Sequence, residues 1–227
     1  MVGIICAEPE ELNAIKKHLT GTLVEEKYNN KFYIGDIGNR RFVIVLCGVG
    51  KVNAARVTQL LIDNYKPDYI INCGVAGGIS EIAKIGDIVV GEKLVQYDFD
   101  LTAFGREKGE ISDEVGKFIY SDKELVQKAY NVILMDETIK GLVGTIASGD
   151  KFITDTVLAK RINEEFGADC CEMEGAAIAQ VCFLDKVPFI VIRSISDNPN
   201  DNNKVDFDEF LVSASETVAK FVVQFVA

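Results

Sequence analysis

The sequence predicts an α/β protein in which helices cover a sheet. Three observations carry this expectation. Apolar runs of four to six residues alternate along the chain with stretches of helical period. The loops that follow these runs mix glycines with carboxylates, the composition of ligand-bearing turns at strand ends. Pro9, Pro67, Pro188 and Pro199 all fall at predicted element boundaries, and no linker, repeat or low-complexity stretch interrupts the pattern. The expectation is one domain over residues 1–227.

In chain order, Val2–Ala7 reads as a first strand, and Pro9 is placed to open a helix over Glu10–Leu19 as its first-turn residue. A second strand, Phe42–Leu46, leads through Gly48-Val49-Gly50 into a helix over Val52–Tyr65. Strands at Tyr69–Cys73 and Ile88–Val90 precede a helix at Lys123–Asn131. Leu142–Ala147 is a strand, Thr156–Phe166 and Gly175–Leu184 are helices, and Phe189–Ile192 is a strand apolar enough to be buried on both faces. At the C-terminus, Phe207, Phe210, Leu211, Ala214, Val218, Phe221, Val222 and Phe225 recur at three- and four-residue steps, so one broad apolar stripe packs a last helix on the sheet.

Composition excludes several function classes. The 227 residues carry 24 Lys plus Arg against 35 Asp plus Glu, a net charge of −11, with no basic run. A nucleic-acid backbone or an anionic membrane would repel that average field. With 48% hydrophobic residues the chain can bury a sizeable core, yet no apolar stretch approaches the roughly 18 to 20 residues that span a bilayer. The N-terminus lacks a basic region and meets acid early, which predicts a cytosolic protein.

Cys6, Cys47, Cys73, Cys170, Cys171 and Cys182 form no Cys-x-x-Cys, and five of them border apolar runs. They read as buried reduced thiols that pack as small hydrophobes. Adjacent Cys170-Cys171 has no neighbouring positive charge to lower a thiol pKa. His18, the sole histidine, follows Lys16-Lys17 near a predicted helix end, the position of a solvated cation. A histidine-based triad or multi-histidine metal site is excluded, so carboxylates must carry any proton transfer.

Five loops therefore hold the informative residues: Ala7-Glu8-Pro9-Glu10-Glu11, Cys47–Gly50, Gly74–Gly78, Ser148-Gly149-Asp150 and Arg193–Asp197. Gly48-Val49-Gly50-Lys51-Val52-Asn53 imitates a dinucleotide fingerprint but has Asn53 where the third small residue belongs, and Gly74–Gly78 lacks the Lys-Ser/Thr of a P-loop. Glu8, Glu10 and Glu11 suit a helix N-terminus as capping charges, or equally as an ionised base. Glu172 and Glu174 are two apart; in an extended stretch both project to one side, where a carboxylate can accept hydrogen bonds from a ribose diol. Arg193 directly after a buried strand requires a partner, either Asp197 in an internal ion pair or a functional site.

These residues, taken together, resemble the 5′-methylthioadenosine/S-adenosylhomocysteine nucleosidases of the purine nucleoside phosphorylase superfamily. The resemblance runs over essentially the whole chain. It rests on Gly3-Ile4-Ile5 with Glu10-Glu11, Gly48–Val52, Asn72–Gly78, Gly86–Val90, Asp100–Gly105, Ser148–Ile153, Glu172-Met173-Glu174 and Arg193–Asp197. It implies a three-layer α-β-α sandwich around a twisted mixed sheet. The reaction it implies is hydrolysis of the adenine N-glycosidic bond of methylthioadenosine and S-adenosylhomocysteine, with no metal and no organic cofactor, in a homodimer. The resemblance also admits 5′-deoxyadenosine.

By that resemblance Glu11 is the general base that deprotonates water, and Asp197, beside Ser196, is the acid at N7 of the departing adenine. Glu174 and Met173 match the ribose-binding pair, Phe152 the ring stacked on adenine, and Ile153 the backbone that reads the base edge. Arg193 matches the residue that steadies the water and glutamates, and Gly77 lies beside the ribose. Val49, Leu101, Phe104 and Phe207 match an apolar pocket for the 5′-alkylthio group, with Leu101–Phe104 approaching the neighbouring subunit. An acid and a carboxylate-activated water on opposite sides of an oxocarbenium-like ribose is the arrangement of an inverting glycosidase. Burial should raise the Asp197 pKa, and a helix N-terminus should hold Glu11 down.

The chain departs from the family pattern at three places. Val75 replaces a hydroxyl residue, Glu8 stands where an apolar side chain lines the thioalkyl pocket, and Arg106 stands where an aromatic is familiar. The more polar pocket admits homocysteine's charged tail or another adenosine-like substrate such as aminodeoxyfutalosine. The rivals are a phosphate-dependent phosphorylase and a catalytically silent nucleoside-binding protein. A phosphorylase needs clustered cationic donors, and residues 71–78 contain no arginine.

Overall fold

The computed structural model describes residues 1–199 and 207–227, and for 207–209 the backbone alone. Strand β1 (Val2–Cys6) is buried along its length and alternates strictly: Val2, Ile4 and Cys6 face one core, Ile5 the other. Gly3 is on the second face because Leu61 lies there; a Cβ on Gly3 would come within 2.8 Å of it. Helix α1 (Pro9–Lys16) begins at the proline, as expected, and His18 lies in the turn beyond it. The stretch that follows, for which apolar pattern suggested no element, is a hairpin of β2 (Thr20–Lys27) and β3 (Asn30–Ile37). Its turn residues Tyr28 and Asn29 both have positive φ, the signature of a tight hairpin turn.

Strand β4 (Arg40–Leu46), helix α2 (Lys51–Tyr65) and strand β5 (Tyr69–Gly78) follow, then β6 (Ile88–Gln96), a 3₁₀ turn at Thr102–Phe104 and the short β7 (Ile119–Tyr120). Helix α3 (Lys123–Met135) is capped by Asp122, whose carboxylate accepts from the backbone of Glu124 and Leu125. Then come β8 (Gly141–Ser148), α4 (Thr156–Phe166), β9 (Cys170–Glu172), α5 (Gly175–Asp185), β10 (Phe189–Asp197) and α6 (Phe207–Val226).

The strands form one mixed sheet. β5 is parallel to β1 and β10, and β1 is parallel to β4, which continues through the antiparallel β3 and β2. On the other side the sheet curls shut, because β10 pairs with β6, β6 with β8, β8 with β9, and β9 returns to β5. Residues of α2 and α5 pack on one face, while α1, α3 and α6 pack on the other, which gives the three layers. In α6 the expected stripe is buried at Leu211, Ala214, Val218, Phe221, Val222 and Phe225. Phe210 is half-buried, and the side chain of Phe207 lies outside the described residues. No helix among the described residues is long and apolar enough to cross a membrane.

Two expectations are corrected. Gly74–Gly78 and Arg193–Asp197 are not loops after strands; β5 and β10 run on through them, paired from Arg193 on Gly74 to Asp197 on Gly77. Backbone pairing satisfies the peptide groups there, and Arg193 Nη2 and Ser196 Oγ find partners across the closed end of the sheet, so neither segment needs to leave it.

Candidate active site

Sheet closure brings six segments to one cavity of about 320 Å³. Ala7, Glu8 and Glu11 line it from the start of α1, Val49 from the entry to α2, and Val75, Ala76 and Gly77 from the end of β5. Phe152, Cys171 to Glu174, Ser196 and Asp197 complete the wall. A small adjoining cavity is bounded by Phe152, Ile153, Met173, Asp197 and Pro199 among others. Glu8, Glu11, Glu172, Glu174 and Asp197 are five carboxylates in the main wall, and no Lys or Arg lines it among the described residues.

Glu11 is 2% exposed and held by three backbone donors. Its Oε2 accepts from Ala7 N at 2.8 Å and Glu8 N at 3.0 Å, and its Oε1 from Val75 N at 2.9 Å. A Cβ on Gly74 would collide with both this carboxylate and the Arg193 guanidinium, so the bare backbone there lets the two groups meet. The sequence expectation for the Glu11 pKa is overturned: burial raises it, and Arg193 together with the backbone donors offsets only part of that rise. Asp197 moves as expected, raised by burial, with Ser196 Oγ donating to Oδ1 at 2.8 Å as the opposing influence. Both carboxyls therefore hold protons more tightly than ordinary ones.

Arg193 is fully buried and sits behind the wall, outside its lining. It pairs with Glu172, not with Asp197. Its Nη2 also donates to Asn72 Oδ1 at 2.5 Å and lies 3.9 Å from Glu174 Oε2. Burial works against the charge, but Glu172, Glu174 and Glu11 outweigh it and raise the Arg193 pKa. Glu172 is the hub that position alone did not single out. It accepts from Ser148 Oγ, from Arg193, and from the backbone of Glu174 at 3.1 Å and Gly175 at 2.6 Å. The available signal was the spacing Glu172-x-Glu174 itself, since both do project towards the same guanidinium.

Glu174 Oε1 accepts from Gly50 N at 2.9 Å. Burial, then the neighbouring charge of Glu172, pushes its pKa up to about 8. The native state therefore binds this proton more tightly than the unfolded chain, so stability is full below about pH 4.5 and declines as pH rises through about 8. Glu174→Gln should flatten that decline in urea midpoints measured from pH 5 to 9; an unchanged slope would show that Glu174 ionises freely.

Of the remaining expected residues, Gly77, Met173 and Ser196 line the main cavity, and Ile153 is buried beside the smaller one. Phe152 bounds both. Val49 lies at the rim. Leu101 and Phe104 are not brought to the wall, and Phe104 is 84% exposed. Among the departures, Val75 packs its side chain with Leu211 and Ala214 of α6, and Arg106 is spent on Glu110 and Asp113 at the surface. All six cysteines are buried and free. Burial raises the thiol pKa of Cys47, Cys170, Cys171 and Cys182, which removes them as thiolate nucleophiles.

Known proteins resemble the chain in sequence and fold. The model of the Phosphorylase superfamily matches residues 1–227. The 5′-methylthioadenosine/S-adenosylhomocysteine nucleosidase of Shewanella pealeana is 43% identical, with 98% of this chain and 96% of that protein covered. The nucleosidase structure from Neisseria meningitidis in complex with methylthio-immucillin-A superposes with a TM-score of 0.94 at 33% identity, covering 99% of this chain and 97% of that one. A futalosine hydrolase structure from Helicobacter pylori superposes with a TM-score of 0.93, also at 33% identity, over 99% of this chain and 96% of that one.

Proposed function

The chain belongs to the phosphorylase superfamily, and on that footing we propose that it is a 5′-methylthioadenosine/S-adenosylhomocysteine nucleosidase. It hydrolyses the adenine N-glycosidic bond and releases adenine and the 5-thioribose product. The observation that carries hydrolysis over phosphorolysis is the wall of five carboxylates with no lysine or arginine among the described residues. Phosphate would meet only negative charge there, whereas a ribose that becomes oxocarbenium-like is stabilised by it.

Glu11 serves as general base. Its three backbone donors fix its orientation, and its raised pKa brings proton affinity closer to that needed to take a proton from water. Arg193 lies behind the wall beside Glu11 and Glu174, so its guanidinium steadies the water through the glutamates that it orients. Glu174, backed by Met173, takes the ribose hydroxyls, and Asp197 carries a proton to the departing base. Phe152 stacks on adenine, Ile153 reads its edge, and Gly77 and Ser196 pack beside ribose and acid.

The active form is a homodimer in the cytoplasm, with one such hydrolase domain per chain. Leu101 and exposed Phe104 of one protomer cover the Val49 rim of its partner and enclose the 5′-alkylthio group. Such substrates assign the enzyme to methionine salvage and the recycling of methyl-cycle by-products.

Adenine release from methylthioadenosine is expected in phosphate-free buffer. Strict dependence on added phosphate would make the protein a phosphorylase, and binding without release would make it a silent binding protein. The same assay on S-adenosylhomocysteine, 5′-deoxyadenosine and aminodeoxyfutalosine ranks the 5′ substituents.

A further inference from the structure

The end of the cavity away from the base site carries a carboxylate that the mechanism leaves unused. Asp197, Phe152 and Met173 are shared between the main and the small adjoining cavity, whereas Glu8, Val49 and Val75 belong to the main one alone. With base and ribose placed at the shared side and at Glu174, the 5′ arm must extend towards Glu8.

Helix capping does not require a charged side chain there. Glu8 is the N-cap of α1, in extended conformation, and shares a capping box with Glu11, a role that a neutral oxygen-bearing side chain fills as well. It is followed by Glu10 and Glu11 in the same turn, and both neighbouring charges oppose its own. The side chain is half-buried and makes no ion pair among the described residues. Among the described residues no cation in the wall compensates it.

We propose that Glu8 makes this active site select adenosine 5′-thioethers whose arm ends in a positive charge over neutral arms of equal length. The inference rests on the nucleosidase reading above and adds to it the chemistry of the arm. A substrate ammonium would supply the counter-charge that the protein omits, and a charge-assisted hydrogen bond in a half-buried site is worth about tenfold or more in discrimination. An arm ending in a carboxylate would meet repulsion at the same place.

The test compares kcat/KM for 5′-(2-aminoethylthio)-, 5′-propylthio- and 5′-(carboxymethylthio)-5′-deoxyadenosine on the intact protein, with methylthioadenosine as control. The wild type should favour the aminoethyl arm over the propyl arm by about tenfold and disfavour the carboxymethyl arm. In Glu8→Gln and Glu8→Met the aminoethyl-to-propyl ratio should fall to one or below. Each ratio comes from a single preparation, so partial misfolding cannot imitate it. Equal ratios in wild type and Glu8→Gln overturn the assignment of Glu8 while methylthioadenosine turnover stands. Absence of turnover on every arm overturns the nucleosidase reading and this inference with it.

Discussion

Asp197→Asn should lower kcat for adenine release by at least about a hundredfold, the usual scale for loss of a general acid, while the variant still binds methylthioadenosine. The substitution preserves size and hydrogen-bonding capacity but removes the transferable proton. Asp197 is suited to carry that proton because burial raises its pKa, with only the Ser196 hydroxyl pulling the other way. The wild-type pH profile follows from the same signs. Activity should fall on the alkaline side as Asp197 loses its proton and on the acid side as Glu11 gains one. Asp197→Asn should lose the alkaline limb that belongs to this carboxyl. Steady-state rates against pH, with calorimetric titration of the variant, check both halves. Wild-type turnover in Asp197→Asn would remove the acid role, and loss of binding along with rate would make Asp197 a binding residue.

The legible parts of the fold were those whose side chains are buried on both faces. β1, β5 and β10 read as apolar runs because helices cover them on either side, and the α6 stripe read as a period of 3.6 because one face packs. The β2–β3 hairpin escaped because β2 is largely exposed and carries no apolar alternation; its evidence was the turn at Tyr28-Asn29, a weaker signal than Asn-Gly. The extension of β5 and β10 escaped for the opposite reason. Gly74, Gly77 and Gly78, like Ser194 and Ser196, are poor strand formers by composition, and only mutual pairing and the buried ion network hold them extended.

The site was legible by residue type and order, since Glu11, Glu174 and Asp197 do meet in one cavity. Its electrostatics were not. A helix N-terminus argues for a low Glu11 pKa, but the buried cavity reverses the sign, and burial is a property of the closed sheet that no local spacing reports. The partner of Arg193 was equally hidden: Asp197 is four residues away in sequence, yet the register that sets Ser148 opposite Glu172 brings Glu172 to the guanidinium instead.

That register makes Glu172 the position where substitution should cost most stability. Glu172→Gln replaces the closest anionic partner of the buried Arg193 guanidinium with a neutral one and weakens the anchor of Ser148 Oγ, Glu174 N and Gly175 N together. Breaking a buried pair from one side costs about 3 to 5 kcal/mol, which for a chain of this length lowers Tm by roughly 6 to 20 °C. Removing both charges should cost less than removing one, because the uncompensated charge is what the fold cannot tolerate. The double variant Glu172→Gln with Arg193→Met should therefore melt above the single variant while remaining inactive, since Glu11 and Glu174 lose the cation that orients them. Thermal melts of the four proteins in a double-mutant cycle measure this coupling. A Glu172→Gln melt within about 2 °C of wild type would mean that Asn72 and Glu174 alone satisfy the guanidinium, and that the glutamate is retained for the reaction instead of the fold.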